Sequence, residues 1–206
     1  MTENWRLILR GFLLGFSIAA PVGPIGVLCI RRTLADGRLT GLLSGLGAAT
    51  ADMFYGAIAA FGVTAVMELL LGCQSWLRAA GGLFLLYLGF RTLLTKPSDR
   101  SAPMRETGLL GAYVSTFLLT IANPMTIIAF LGIFSAILPA DGAASPLSLV
   151  MGVFLGSAAW WLTLSGLVGL LREKFTPAWM LWVNRISGTV IAIFGIIILM
   201  QLLLRL

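Results

Sequence analysis

Six apolar runs dominate the chain, at roughly 7–30, 39–66, 79–95, 108–138, 147–171 and 183–204. Each approaches or exceeds the ~20 residues that a helix needs to cross the hydrocarbon core of a bilayer. The run at 79–95 is the shortest. Hydrophobic residues make up 59% of the chain and charged residues 11%, where soluble domains carry roughly 25% charged residues. Most of this surface must therefore meet lipid, and the expected fold class is an all-α membrane protein with six transmembrane helices. The first run follows Arg6 and Arg10 and ends near Arg31 and Arg32. It is too long for the apolar core of a secretory signal, about 7–15 residues, and reads as a retained first helix.

The segments between runs carry the turn and charge signals: RRTLADGR at 31–38, TKPSDRSAPMRET at 95–107, LPADGAASP at 138–146 and REKFTP at 172–177. Six spans place alternate linkers on opposite sides. Ten of the 14 basic residues fall on the side that holds Arg31, Arg32, Arg38 and the 96–107 linker, and four fall on the other. The positive-inside rule makes the first side cytoplasmic and puts both termini outside. The same distribution accounts for the net charge of +6 without a nucleic-acid partner. His is absent, and Cys29 and Cys73 form no CxxC, so neither a metal site nor a cofactor is expected. The two thiols read as small buried residues, with a disulfide left open.

The chain also repeats itself. Gly11 precedes Pro24 by thirteen residues, and Gly111 precedes Pro124 by the same interval; Gly41 and Gly45 are echoed by Gly152 and Gly156; Arg78-Ala-Ala-Gly81 is echoed by Arg185-Ile-Ser-Gly188. One transmembrane domain then consists of two repeats, 1–95 and 108–206, joined by a cytoplasmic linker at 96–107. Three spans per repeat force the two halves to be inverted in the membrane. Inverted repeats with broken helices recur among transporters.

Two features could carry chemistry. The first is Ala20-Pro21-Val22-Gly23-Pro24 in the first helix, matched by Asn123-Pro124 in the fourth. Proline inside a helix removes a hydrogen bond and clashes with the preceding turn, yet it suits the first position of a new helix. Both helices are expected to break here. Two half-helix N-termini would then present free N–H groups and partial positive charge to a carboxylate. Ordinary proline kinks, which membrane helices tolerate, are the alternative. The second feature is Asp52, the one charged residue between Leu39 and Met67. Gly41, Gly45, Ala48, Asp52, Gly56 and Ala59 recur at three- and four-residue steps and share a helix face. Such small-residue stripes pack against other helices, so Asp52 is expected to face the interior, where it can exchange a proton or hold a substrate ammonium. A structural Asp paired with a buried hydroxyl is the alternative. The fifth helix has a similar stripe, Gly152, Gly156, Ala159, Thr163 and Gly166, with Thr163 at the place of Asp52. Tyr55 and the pair Trp160–Trp161 are further candidates for a cavity wall. The glycine stripes are compatible with a homodimer.

These residues resemble the LysE/RhtB family of amino-acid exporters: GFLLGFSIAAPVGP at 11–24, RRTLADGRLTGLLSGLGAATAD at 31–52, GGLFLLYLGF at 81–90 and IANP at 121–124. The resemblance covers nearly the whole chain. It implies a multi-pass protein of the bacterial inner membrane, not an enzyme, that exports amino acids or related small metabolites using the proton-motive force. Many members show Pro-Gly-Pro at the first break, where this chain has Pro21-Val22-Gly23-Pro24. The wider superfamily is similar to thiol electron carriers and metal exporters. The former need a redox Cys in each half, and here Ala129 stands opposite Cys29. Export of a metal ion or an organic acid, and a non-transporting scaffold, remain the alternatives. The expected site places a substrate carboxylate at Pro21, Gly23, Pro24, Asn123 and Pro124, and an ammonium or coupling proton at Asp52, with Thr163 and Tyr55 nearby.

Overall fold

The computed structural model describes residues 2–21, 23–61, 72–94, 108–123, 126, 130, 146–172 and 176–204. Seven helices run through them: α1 (Thr2–Ala19), α2 (Pro24–Asp36), α3 (Arg38–Ala60), α4 (Gln74–Leu94), α5 (Gly108–Ile121), α6 (Pro146–Leu171) and α7 (Pro177–Leu203). Helices α3, α4, α6 and α7 are each long and apolar enough to cross a membrane, and α1 and α2, sharply bent against each other, reach that length and apolarity only as a pair. The shortest apolar run is thus part of a helix of spanning length, beginning at Gln74. Helix α5 is a shorter apolar helix of 14 residues, and most of the remaining run to 138 lies outside the described residues.

The first run is broken as its prolines require. Helix α1 ends at Ala19, Gly23 takes an extended conformation as N-cap, and Pro24 opens α2. Proline has no N–H and pushes the preceding residue out of helical geometry, so the axis turns by 81° across the break. A second turn joins α2 to α3 at Gly37, whose φ of +103° favours glycine.

Packing follows the glycines. Helix α1 lies along α6, α4 along α7, and α3 between α5 and α6. A methyl group on Gly11 or Gly15 would collide with the backbone at Leu149 and Val153, and one on Gly152 or Gly156 with the backbone at Ile8 and Phe12. The two pairs let α1 and α6 approach backbone to backbone. Gly82 and Gly89 of α4 similarly meet Gly195 and Ala192 of α7. Large apolar side chains such as Leu83, Phe90, Leu162 and Ile193 point outward, while Ser44, Thr116, Ser157 and Asn184 are buried. This is the distribution of a chain solvated by lipid.

The arginines at 31 and 32 do not begin a linker, as the sequence suggested. They lie within α2, and Arg32 is only 4% exposed. Its Nη1 donates to Ser44 Oγ (2.9 Å), Thr116 Oγ1 (2.9 Å) and Ala112 O (3.0 Å), and its Nη2 to Ser115 Oγ (2.9 Å). Each hydroxyl donates to a carbonyl of its own helix, Ser44 to Thr40 and both Ser115 and Thr116 to Ala112, so their lone pairs are left for the guanidinium. Arg31 Nε donates to Asn184 Oδ1 (3.2 Å) on α7. From the end of α6, Arg172 donates to the carbonyls of Leu34 (3.1 Å) and Ala35 (3.2 Å), a cation on the C-terminal carbonyls of α2. The C-terminal part of α2 is therefore tied to α3, α5, α6 and α7. The thiols also divide: Cys29 is buried, but Cys73 is exposed, because it lies ahead of α4 and not within its packed face.

Two outcomes are expected for detergent-purified protein followed by thermal unfolding. Gly156→Val destabilises the chain by about 3 kcal/mol through overpacking, while Gly166→Val, whose Cβ meets open space, does not. Arg32→Gln costs roughly 2–4 kcal/mol, since it removes charge-assisted hydrogen bonds and strands buried acceptors, and Arg32→Lys costs less.

Candidate functional site

A cavity of about 80 Å³ opens at the break between α1 and α2, room for several waters or a small solute. Pro21, Gly23 and Pro24 line it from the break itself, and Ile25 and Gly26 from the first turn of α2. An α-helix leaves its first amides without intrahelical acceptors. Pro24 has none to leave, and Gly23 supplies no capping side chain. The amides of Ile25 and Gly26 are therefore the free donors of α2, and both residues are in the cavity wall.

Asp52 enters the cavity from α3. It is 4% exposed, on the inward face that the small-residue stripe marked. Ser157 Oγ on α6 donates to its Oδ2 at 2.7 Å. Asp52 is the one carboxylate among the lining residues, and Ala48 lies one turn before it. From the end of α5 come Thr120 and Asn123, followed by Thr126. The Asn123 amide donates to Thr120 O, and the Asn123 carbonyl accepts from the Thr126 amide, both at 3.1 Å. That exchange suits a residue standing between two helical segments. Pro124 lies outside the described residues.

Two of the expected residues stand elsewhere. Tyr55 is fully buried behind the cavity, against Phe130. Its hydroxyl donates to the carbonyl of Ile121, a group that the end of α5 leaves without a helical partner. Thr163 is exposed on α6 and returns its hydroxyl to Ala159 O (2.8 Å), so it does not reach the cavity. The face that α6 turns to α3 is Val153, Ser157 and Trp161, one turn apart each, whereas its glycines at 152 and 156 serve α1. Ser157 and Trp161 are thus the site residues on α6. Of the expected pair Trp160–Trp161, the second lines the cavity and the first packs against Phe16. Ser157 was not expected, and a four-residue spacing of Leu149, Val153, Ser157, Trp161 and Ser165, all buried, was the signal available for it.

The arrangement offers one acid, two backbone donors and several hydroxyl or amide groups around a small polar space. It can hold a solute that is positive at one end and negative at the other. Among the described residues it holds no paired acid and base for chemistry on that solute.

Comparison with known proteins gives the chain a family. The chain is 28% identical to the putative amino acid efflux protein YcgF of Bacillus subtilis over 200 residues, 92% of this chain and 93% of that one. It is 27% identical to the uncharacterized membrane protein YahN of Escherichia coli, covering 81% and 77% of the two chains. It is 24% identical to the threonine efflux protein of Salmonella typhi, covering 84% and 88%. No solved structure matches. The family model for the LysE type translocator matches residues 16–202, and by that match, over nine-tenths of a bent-helix membrane fold, the chain belongs to the LysE-type translocators, which are transporters and not enzymes.

Proposed function

We propose that this chain is a proton-coupled exporter of amino acids in the bacterial inner membrane, with both termini outside. The observation that carries the reading is Asp52, the single carboxylate lining a cavity that the free N-terminus of α2 also lines. A substrate ammonium pairs with Asp52, and its carboxylate takes the amides of Ile25 and Gly26. Asn123 and Pro124 would supply the matching end of the second half.

Coupling follows from cost. An ionised carboxylate without a partner is expensive in the membrane interior. Asp52 bound to an ammonium, or carrying a proton, is electrically compensated; ionised and empty, it is not. If only compensated forms cross between the two access states, each amino acid leaving is exchanged for a proton entering. The two access states would arise from two inverted three-helix halves moving against each other. Support comes from the contact pattern. Exchanging the halves turns α1 against α6 into α5 against α3, and maps the α3–α6 and α4–α7 contacts onto themselves. The names of the relatives support amino acids as the cargo.

The test is efflux of a panel of radiolabelled amino acids, L-threonine among them, from loaded proteoliposomes with and without an imposed pH gradient. The wild type is expected to accelerate at least one of them under the gradient. Asp52→Asn abolishes that acceleration. Ser157→Ala weakens it roughly tenfold or more, the loss of one hydrogen bond to a charged group. Gradient-driven efflux that survives in Asp52→Asn would overturn the coupling role. A wild type that moves no amino acid would overturn the substrate class.

A further inference from the structure

Among the described residues, one polar atom beside the cavity has no protein partner. The indole Nε1–H of Trp161 is buried and meets no acceptor there, and the side chain is 5% exposed. Folded proteins pair the great majority of such groups, and an exception calls for a reason. The reason lies in where Trp161 sits. It lines the cavity and shares a cluster with Ala19, the last residue of α1, and with Ile25, in the first turn of α2. The cluster that holds it therefore reaches both sides of the helix break. Its place is made by Gly45, where any side chain would collide with the Trp161 Cβ and ring. One turn earlier on the same face of α6 stands Ser157, the donor to Asp52.

We propose that the Trp161 indole N–H donates to the carboxylate of the exported amino acid, as a third donor beside the amides of Ile25 and Gly26. This rests on the transport reading above and adds a specificity-determining residue to it. An indole N–H is a donor only. It cannot accept from an ammonium, so it fixes which way the solute lies: carboxylate toward Trp161 and the α2 N-terminus, ammonium toward Asp52. It also selects against amines that lack a carboxylate, because for them the buried donor stays unpaired.

The experiment compares two ligands on purified protein. Binding of L-threonine, the probe of the efflux assay, is measured directly. Its decarboxylated counterpart, 1-amino-2-propanol, is measured as a competitor. Trp161→Phe keeps the ring and removes the N–H. It is expected to weaken L-threonine roughly tenfold or more, the effect of one hydrogen bond to a charged group, and to leave 1-amino-2-propanol unchanged. Trp160→Phe, whose ring packs edge-on against Phe16, is the control and changes neither. Equal weakening of both ligands in Trp161→Phe would assign Trp161 to packing and overturn the proposal, as would no change in either. The transport reading would survive both of those results, provided that the wild type still exports and Asp52→Asn does not. A wild type that exports no amino acid removes both.

Discussion

Lipid offers no hydrogen bonds, so a helix broken inside a membrane has to be completed by its neighbours. The rest of this structure is arranged around that requirement. Pro21 and Pro24 end α1 and start α2, and the backbone groups freed there need partners or a polar space. The structure supplies the space on one side, as the cavity that holds Asp52, and partners at the far end of α2. Tyr55 performs the same service at the end of α5, where its hydroxyl meets the carbonyl of Ile121. Broken helices and polar interior therefore belong to one solution.

That solution needs a tight frame. A short half-helix such as α2 has little apolar surface of its own with which to hold position. Its surroundings are held instead by glycine contacts between longer helices, α1 against α6 and α4 against α7. Between lipid-like surfaces such contacts gain dispersion energy through closeness, since burial from water contributes little. Helix α3, packed on both α5 and α6, carries Asp52 into the centre of this frame.

Much of this was legible in the sequence, and the reason is that lipid leaves few choices. Four helices of spanning length follow from run length. The break follows from proline chemistry. The inward face of Asp52 follows from the small residues at three- and four-residue steps around it. What escaped was the identity of neighbours across the chain. A stripe of glycines on α6 shows that something packs closely, but not that the partner is α1, and so Thr163 was read inward when it lies outside. Ser157 and Trp161, on the adjacent face, hold the places beside Asp52 and the break. Arg31 and Arg32 were read as flanking charges because a guanidinium normally stays in water. Arg32 is buried because the hydroxyl of Ser44 and, more than eighty residues away, those of Ser115 and Thr116 accept from it, and no local pattern announces the distant pair.

The way Arg32 is held has an electrical consequence. Its acceptors in the cage are three hydroxyls and a carbonyl, none of which gains or loses a proton in any ordinary range of pH. The tether is therefore insulated from acidity: it grips as firmly on the acid side of a gradient as on the neutral side. Asp52, by contrast, stands at the opposite end of α2 with a partner that is itself neutral. Within one short helix the fold separates an end that is indifferent to protons from an end that faces the one acid in the cavity. Under the proposed coupling, a proton arriving at Asp52 would change what the cavity holds without disturbing the hydrogen bonds that hold Arg32.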